Sequence, residues 1–229
     1  MVRFDIFSDP ICPWCYIGKT HLDRAIKRTA VSFIDIRWHP FQLNPDMPLE
    51  GMDRRVYLEQ KFGGQSGAVK AYAPVVEHAQ KAGLQINFEA IKKTPNTLNA
   101  HRLIHWSEAE GCQNALVDAL FDAYFVQGMD IGNAEELCEI AQSAGMNSEL
   151  ATRLLATDSD VSLISERDQN ARKMGVGAVP TFVVAGQHVV QGGQSECKVA
   201  AACNVQVLHL QSPADQSQQG QFQRCRKPR

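Results

Sequence analysis

The stretch that decides the fold is Ser8-Asp9-Pro10-Ile11-Cys12-Pro13-Trp14-Cys15-Tyr16, close to the amino terminus. It follows residues 2–7, an aromatic and β-branched run with partial alternation that predicts a strand. From Pro13 to about Arg28, apolar residues recur on one helical face, and proline suits the first position of a helix. The stretch therefore joins a strand to a helix, with Cys12 at the helix N-terminus and Cys15 one turn further in.

Two cysteines separated by two residues in this position favour a redox dithiol. Unpaired backbone N–H groups and the macrodipole at a helix N-terminus favour an anion, and the thiolate is the reactive form of cysteine. Cys15 is close enough in sequence to close a short disulfide with Cys12. The motif alone leaves a structural disulfide, half of a zinc site and chance as alternatives. A zinc site usually needs further paired ligands, and the sequence holds no second C-x-x-C.

Composition narrows the class of protein. The chain has 229 residues and a formal net charge of −2, with 21% charged residues, which does not suggest nucleic acid or an anionic membrane as a partner. No apolar stretch approaches the roughly eighteen residues of a spanning helix, and no signal peptide is recognisable at the amino terminus. Seven cysteines without a framework spacing favour a functional C-x-x-C beside mostly free thiols. These features predict a cytoplasmic protein.

The order of patterns predicts one sheet built from both ends of the chain. Residues 31–38 predict a second strand, so the amino-terminal part forms a βαβ unit with a parallel pair. From residue 53 to 173 the periodicity is almost entirely helical, and Pro74 should kink or split one helix. Residues 179–186 and 188–190 then predict a β-hairpin. The last part of the chain, from about residue 212, is Gln-rich and polar, which predicts disorder.

Several segments resemble those of DsbA-like members of the thioredoxin superfamily, closest to the FrnE type. The matching segments run in family order and are residues 8–19, 40–45, 96–103, 120–125, 130–131 and 177–182. The resemblance implies an α/β, thioredoxin-like fold with a helical domain inserted between the N-terminal βαβ unit and the C-terminal β-hairpin. We therefore predict a discontinuous thioredoxin-like domain (1–44 and 175–193), an inserted all-helical domain (45–174) and an atypical C-terminal segment (194–229), which lacks the family's final helix.

The resemblance also implies a DsbA-family thiol-disulfide oxidoreductase that oxidises, reduces or isomerises disulfides. Cys12 is then the nucleophile and Cys15 the resolving thiol, while Pro13 and Trp14 tune the redox-active centre. Pro180 is expected to be a cis-proline opposite the two cysteines. The backbone of Val179 would pair with the substrate, and Thr181 completes this predicted substrate-binding segment.

Other residues of the matching segments carry weaker expectations. Asn44, Asn99 and His101, with Arg102, could line a cleft between the two domains. A turn-shaping role for Asn44, and a helix-surface or buried structural role for Asn99 and His101, are the open alternatives. Cys197 and Cys203 could form a second pair.

The predicted partners are protein or small-molecule thiols and disulfides, without nucleic acid, membrane, metal or bound cofactor. Glutathione is a candidate co-substrate, and the oligomeric state stays open, with a dimer among the options. One alternative function is a glutathione-dependent isomerase or transferase, as in the related hydroxychromene-carboxylate isomerases and kappa-class glutathione transferases. Those proteins typically have a serine where Cys12 stands. The other alternative function is a non-catalytic binding or chaperone-like module.

Overall fold

The computed structural model describes residues 2–29 and 34–193. In chain order its elements are β1 (Val2–Ser8), α1 (Pro13–Thr29), β2 (Ile34–Pro40), β3 (Met52–Asp53), α2 (Arg54–Phe62), α3 (Gln65–Lys81), β4 (Lys93–Thr94), α4 (Leu98–Ala109), α5 (Gln113–Asp122), a π-helical turn (Ala123–Gln127), α6 (Ala134–Ser143), α7 (Ser148–Leu155), α8 (Val161–Lys173), β5 (Thr181–Val184) and β6 (His188–Gln191).

The main sheet combines the two ends of the described chain. Its strand order is β2-β1-β5-β6, with β1 and β2 parallel and the pairs β1–β5 and β5–β6 antiparallel. Phe4 and Ile6 of β1 share a buried core with Leu22 of α1 and Phe182 of β5. The predicted α/β, thioredoxin-like arrangement is therefore confirmed.

Strand β2 ends later than the sequence predicts. Pro40 pairs with Ser8, and the N–H of Phe41 donates to the Ser8 carbonyl at 3.2 Å. A proline is tolerated here because β2 is an edge strand of the sheet, where one side of the backbone needs no partner. Residues 31–33, which we predicted as the beginning of this strand, lie outside the described residues.

Residues 45–174 are mostly helical, as predicted, although they are not all helical. Strands β3 and β4 form a two-residue antiparallel pair within them. Helix α2 begins after Asp53, whose carboxylate accepts the Val56 N–H at 3.0 Å and so caps the helix. Helix α3 is continuous through Pro74, because the buried Val75 and Ala79 pack with Ile17 of α1 and outweigh one missing hydrogen bond.

Helix α1 is held from both sides, which fixes the position of its N-terminus. The Tyr16 ring stacks on Phe121 and Phe125, with centroid distances of 5.1 and 5.6 Å. On the other side, Gly18 allows close approach to the loop before β5, since a Cβ there would lie 2.8 Å from Cγ of Pro180. The loop that carries Pro180 therefore packs directly on the cysteine-bearing helix.

Two sets of predictions, on membrane helices and on the C-terminal segment, depend on which residues the structure describes. Within residues 2–29 and 34–193, no helix is long and apolar enough to cross a membrane. Our predictions for the segment 194–229, including the disorder, the missing final helix and the pair Cys197 and Cys203, lie outside the described residues.

Candidate active site

Cys12 lies directly before the first residue of α1. Its backbone N–H donates to the Asp9 carbonyl at 2.9 Å, and its own carbonyl accepts the N–H groups of Cys15 and Tyr16 at 3.0 and 3.2 Å. Its thiol lies 3.7 Å from the Val179 carbonyl oxygen. Both thiols are free, and the exposed fractions are 3% for Cys12 and 1% for Cys15. The two cysteines thus occupy the junction between α1 and the loop before β5.

The environment of Cys15 favours its protonated form. Burial raises the pKa of this thiol well above its ordinary value, and the neighbouring Cys12 raises it further. The Ser8 side chain and the Asp9 backbone N–H form hydrogen bonds to the Cys15 sulfur that act in the opposite direction. The inner thiol therefore holds its proton in the reduced protein and must release it before it can act as a nucleophile.

The segment opposite Cys12 contains the three residues predicted to bind substrate. The Val179–Pro180 peptide bond is cis. Val179, with Gly177 and Ala178, lines the cleft described below. Thr181 is buried, and its hydroxyl donates to the Ala178 carbonyl at 2.6 Å, so this side chain stabilises its own turn.

Pro13 and Trp14 form the other edge of the thiol pair. Pro13 is the first residue of α1, as predicted. Trp14 is half-buried and meets the His78 ring of α3 edge-on, with a centroid distance of 5.2 Å. Both residues line the same cleft as Cys12. A change of either side chain would therefore alter access to the Cys12 thiol.

A cleft of about 340 Å³ opens over Cys12. We call one side the thiol wall, which consists of residues 11–14 and 177–179. The facing side, the cationic wall, consists of Arg54, Tyr57 and Lys61 of α2 and Tyr72 of α3. Among the residues that the structure describes, Arg54 and Lys61 are the two charged ones that line the cleft, so an anionic group is favoured there.

Arg54 is nearly buried and sits among aromatic groups. It donates to the hydroxyls of Tyr124 and Tyr72 at 3.1 and 3.3 Å, and it lies 5.4 and 5.7 Å from the ring centroids of Tyr72 and Phe88. Within the described ranges, no carboxylate forms an ion pair with it. A guanidinium with its charge uncompensated beside a cleft is suited to bind a carboxylate.

Asn44 lies behind the cationic wall. Its Oδ1 accepts hydrogen bonds from the Tyr57 hydroxyl at 2.8 Å and from Nζ of Lys61 at 3.2 Å. The Lys61 ammonium also contacts the Tyr57 hydroxyl at 2.5 Å. Asn44 therefore positions two lining residues and does not itself line the cleft.

Comparison with known proteins identifies the family. The model of the DSBA-like thioredoxin domain matches residues 3–203. The chain belongs to this family. Among curated proteins, this DSBA-like chain is 26% identical over 192 residues to the uncharacterized protein YwbO of Bacillus subtilis, covering 83% of this chain and 90% of that protein.

Two solved structures show the same fold as this DSBA-like chain. A probable DsbA oxidoreductase from Streptomyces coelicolor superposes with a TM-score of 0.81 at 24% identity, covering 94% of this chain and 93% of that one. The cytosolic disulfide reductase DsbM from Pseudomonas aeruginosa, determined with glutathione, gives a TM-score of 0.65 at 17% identity, covering 90% and 99%.

The other two residues suggested for the cleft lie elsewhere in this DSBA-like fold. Asn99 accepts a hydrogen bond from Arg102 at 2.8 Å, and Arg102 also donates to the carbonyls of Leu154, Thr157 and Ser159. This pair therefore anchors the loop after α7, because one guanidinium binds three of its carbonyls. His101 is buried beneath the thiol wall, against Asp9.

The histidines of α4 do not extend the cysteine pair into a metal site. His101 and His105 are one helical turn apart, but the ring of His105 contacts the Arg167 guanidinium at 3.0 Å while His101 faces Asp9. In the part of the chain that the structure describes, no three His, Cys, Asp or Glu side chains gather as ligands.

The sequence prediction missed the cationic wall. Arg54, Tyr57 and Lys61 have the spacing of one face of a helix, which is a signal in the sequence. A polar face is ordinarily solvated, however, and only the tertiary structure brings this one opposite Cys12. Asp9 was also missed as a site residue, although it lies within the deciding stretch.

Proposed function

We propose that the protein is a thiol-disulfide oxidoreductase in which Cys12 is the nucleophile and Cys15 the resolving thiol. The observation that carries the proposal is the position of Cys12 at the start of α1, in a cleft and opposite Val179, with Cys15 buried behind it. Membership of the DSBA-like family supports it.

The reaction proceeds by two thiol–disulfide exchanges. In the reductive direction, the Cys12 thiolate attacks one sulfur of a substrate disulfide, forms a mixed disulfide and releases the other half as a thiolate. Cys15 then gives up its proton to solvent and attacks the Cys12 sulfur, which releases the second substrate thiolate and leaves a Cys12–Cys15 disulfide. Two electrons pass to the substrate, and two molecules of a thiol such as glutathione restore the dithiol by forming their own disulfide. The reverse sequence oxidises a substrate dithiol.

The high pKa of Cys15 fits the resolving role. A protonated inner thiol does not compete with Cys12 for the incoming disulfide, so the first exchange occurs at the outer sulfur. Once the mixed disulfide removes the thiol of Cys12, it also removes one cause of the raised pKa of Cys15. The Cys15 thiol therefore loses its proton more readily in the mixed disulfide than in the reduced protein, which favours the second exchange.

The cleft favours thiols and disulfides that carry a carboxylate. Arg54 and Lys61 supply two positive charges on the wall facing Cys12. A tripeptide thiol such as glutathione has two carboxylates and suits this arrangement, and DsbM was determined with glutathione. We further propose that the Val179 backbone pairs with the substrate backbone, because Val179 lines the cleft next to Cys12. The cytoplasm is the proposed location, in line with the cytosolic role stated for DsbM.

The two alternative functions differ in how they use the thiols. A glutathione-dependent isomerase or transferase activates one thiol of its co-substrate and has no need of a resolving cysteine. The presence of both Cys12 and Cys15 therefore favours the oxidoreductase. A non-catalytic binding module would not depend on Cys12 at all.

Insulin reduction with glutathione as the reductant tests the proposal. We expect Cys12→Ser to reduce the rate to the uncatalysed background, and Cys15→Ser to accumulate mixed disulfides that mass spectrometry detects. Cys112→Ser is the matched control, since Cys112 is a half-buried free thiol whose Sγ contacts the Ser107 carbonyl and which lies outside the cleft. Unchanged turnover by Cys12→Ser would exclude the dithiol mechanism.

A further inference from the structure

Asp9 connects the segment that carries Cys12 to the segment that follows β2. Its side chain has no exposed surface. Oδ2 accepts the Leu43 N–H at 2.6 Å, Oδ1 accepts the Ile11 N–H at 3.3 Å, and the Asp9 backbone carbonyl accepts the Cys12 N–H at 2.9 Å. One buried residue therefore determines how residues 9–12 are held against residues 41–43.

His101 of α4 faces this carboxyl group from below. Its Nε2 lies 3.9 Å from Oδ1 of Asp9 and has no hydrogen-bond partner within residues 2–29 and 34–193, and the ring is 2% exposed. The other ring nitrogen is engaged with the Phe41 backbone. When that nitrogen donates to a carbonyl, neutral imidazole presents a lone pair at Nε2. A lone pair opposite an ionised carboxylate would place two acceptors face to face, so the arrangement calls for one proton between them.

The surroundings place that proton on the carboxyl group. Burial raises the pKa of Asp9 to about 7, against the lowering effect of hydrogen bonds from Leu43, Ile11 and the Thr97 side chain. Burial lowers the pKa of His101 to about 4. Between about pH 4 and 7 the carboxyl group of Asp9 is thus protonated and His101 is neutral.

The charges on neighbouring elements act on both members of the pair. Asp168 of α8 raises the pKa of Asp9 and that of His101 through its negative charge. Asp168 is itself bound by the Arg172 guanidinium at 2.9 Å and by the Gln42 N–H at 2.8 Å. On the side of the cleft, burial raises the pKa of the Tyr124 hydroxyl and the negative charge of Asp9 raises it further, so that this hydroxyl stays protonated.

We infer that Asp9 and His101 are a buried positioning pair that together hold one titratable proton, carried by Asp9, and that Asp9, through the Ile11 and Leu43 N–H groups, sets how the Cys12 segment is held. Loss of the proton turns Oδ1 into a full acceptor for the Ile11 N–H, next to Cys12. The effect on catalysis rests on the proposed function, whereas the sharing of the proton is a property of the folded chain and can be measured without turnover.

Carboxyl-¹³C labelling of aspartate and NMR titration test the shared proton directly. We expect one aspartate resonance of the full chain to titrate near pH 7, to be missing in Asp9→Asn and to be retained in Asp35→Asn, a control on the surface of β2. In His101→Gln the midpoint should fall by about one pH unit, because the glutamine amide can donate to the ionised carboxylate. Titration of every aspartate below about pH 5, or an unmoved midpoint in His101→Gln, would overturn the inference.

Ring ¹⁵N chemical shifts of the wild-type protein provide a test that needs no variant, so its outcome does not depend on whether a variant folds. The inference requires a histidine that stays neutral below pH 6 with its proton on Nδ1. If every histidine becomes charged near its ordinary pKa, the pair does not exist.

The catalytic consequence is read from the pH dependence of insulin reduction. An asparagine at position 9 resembles the protonated acid, since its amide donates to Nε2 of His101 and its oxygen still accepts the Leu43 N–H. We therefore expect Asp9→Asn to fold and turn over but to lose an inflection near neutral pH that the wild type has. Parallel profiles would refute the positioning role. Unchanged turnover by Cys12→Ser, which would exclude the proposed function, has no bearing on the NMR result, so the two hypotheses can fail separately.

Discussion

The two walls of the cleft differ in both their origin and their content. The thiol wall comes from the β1–α1 junction and the loop before β5, carries the reactive sulfur and has no charged side chain. The cationic wall comes from α2 and α3 and carries the Arg54 and Lys61 charges. On the proposed function, bonds to sulfur form and break at the thiol wall, and the cationic wall selects the substrate. Changes in the thiol wall should affect every substrate, and changes in the cationic wall should discriminate among them.

The largest expected effect on stability comes from the buried pair beneath the cleft, in which Asp9 follows β1 and His101 belongs to α4. Between about pH 4 and 6.5 the folded chain holds its proton on Asp9, whereas the unfolded chain holds one on His101, so the opposite pH slopes that the two groups give to the unfolding free energy cancel. When either group is replaced, the unfolding free energy should show the pH dependence that the remaining group contributes.

In Asp9→Asn only His101 remains. Its folded pKa lies below its unfolded value, so we expect stability to fall as the pH drops from about 6.5 to 4, by up to about 3 kcal/mol relative to the wild type. In His101→Gln only Asp9 remains, with a raised folded pKa, and stability should instead fall as the pH rises above about 4. Urea unfolding at several pH values measures both slopes. Two variants that run parallel to the wild type would show that the pKa values of Asp9 and His101 are not shifted in these opposite directions.

The thiol wall was predictable because its signals are local. A β-branched and aromatic run, a proline at the first helical position and the C-x-x-C stretch lie within residues 2–15, and each specifies its own backbone conformation. The structure places β1 and the start of α1 where these patterns predict them. The hairpin of β5 and β6 was equally readable from its apolar run and the turn at Gly186.

The cationic wall and the buried pair were not predictable, because they depend on distant residues. Arg54 reaches the cleft through β3 pairing with β4, and neither two-residue strand has a pattern of its own. Of the kink or split predicted at Pro74, the split does not occur, because Val75 and Ala79 pack in a buried cluster. Asp9 and His101 are 92 positions apart (101 − 9), so no spacing rule could join them.

Arg54→Met is expected to separate substrates by charge. Methionine keeps the contact with the Tyr72 and Phe88 rings but removes the guanidinium. We expect kcat/KM for oxidised glutathione to fall about tenfold to a hundredfold, since a hydrogen bond to a charged group contributes roughly 1.5–3 kcal/mol. For the neutral bis(2-hydroxyethyl) disulfide the change should stay within about threefold.

Arg55→Met is the matched control for this experiment. Arg55 is the next residue of α2, is exposed and pairs with Glu59 outside the cleft. It should leave both substrates unaffected. An equal loss for the charged and the neutral disulfide in Arg54→Met would mean that Arg54 supports the fold around Tyr124 and does not select substrates.

Lys61→Gln should give the smallest effect, because the ammonium lies at the exposed rim of the cationic wall. Glutamine can keep the hydrogen bonds to Asn44 and Tyr57, so only the charge is lost. Exposed ion pairs contribute less than about 1 kcal/mol, which corresponds to a rise of about two- to threefold in KM for oxidised glutathione with kcat unchanged. The difference should disappear at high salt, where exposed charges are screened. Lys70→Gln on α3, away from the cleft, provides the comparison, and a salt-independent loss in Lys61→Gln would assign Lys61 to positioning Tyr57 and not to attracting the substrate.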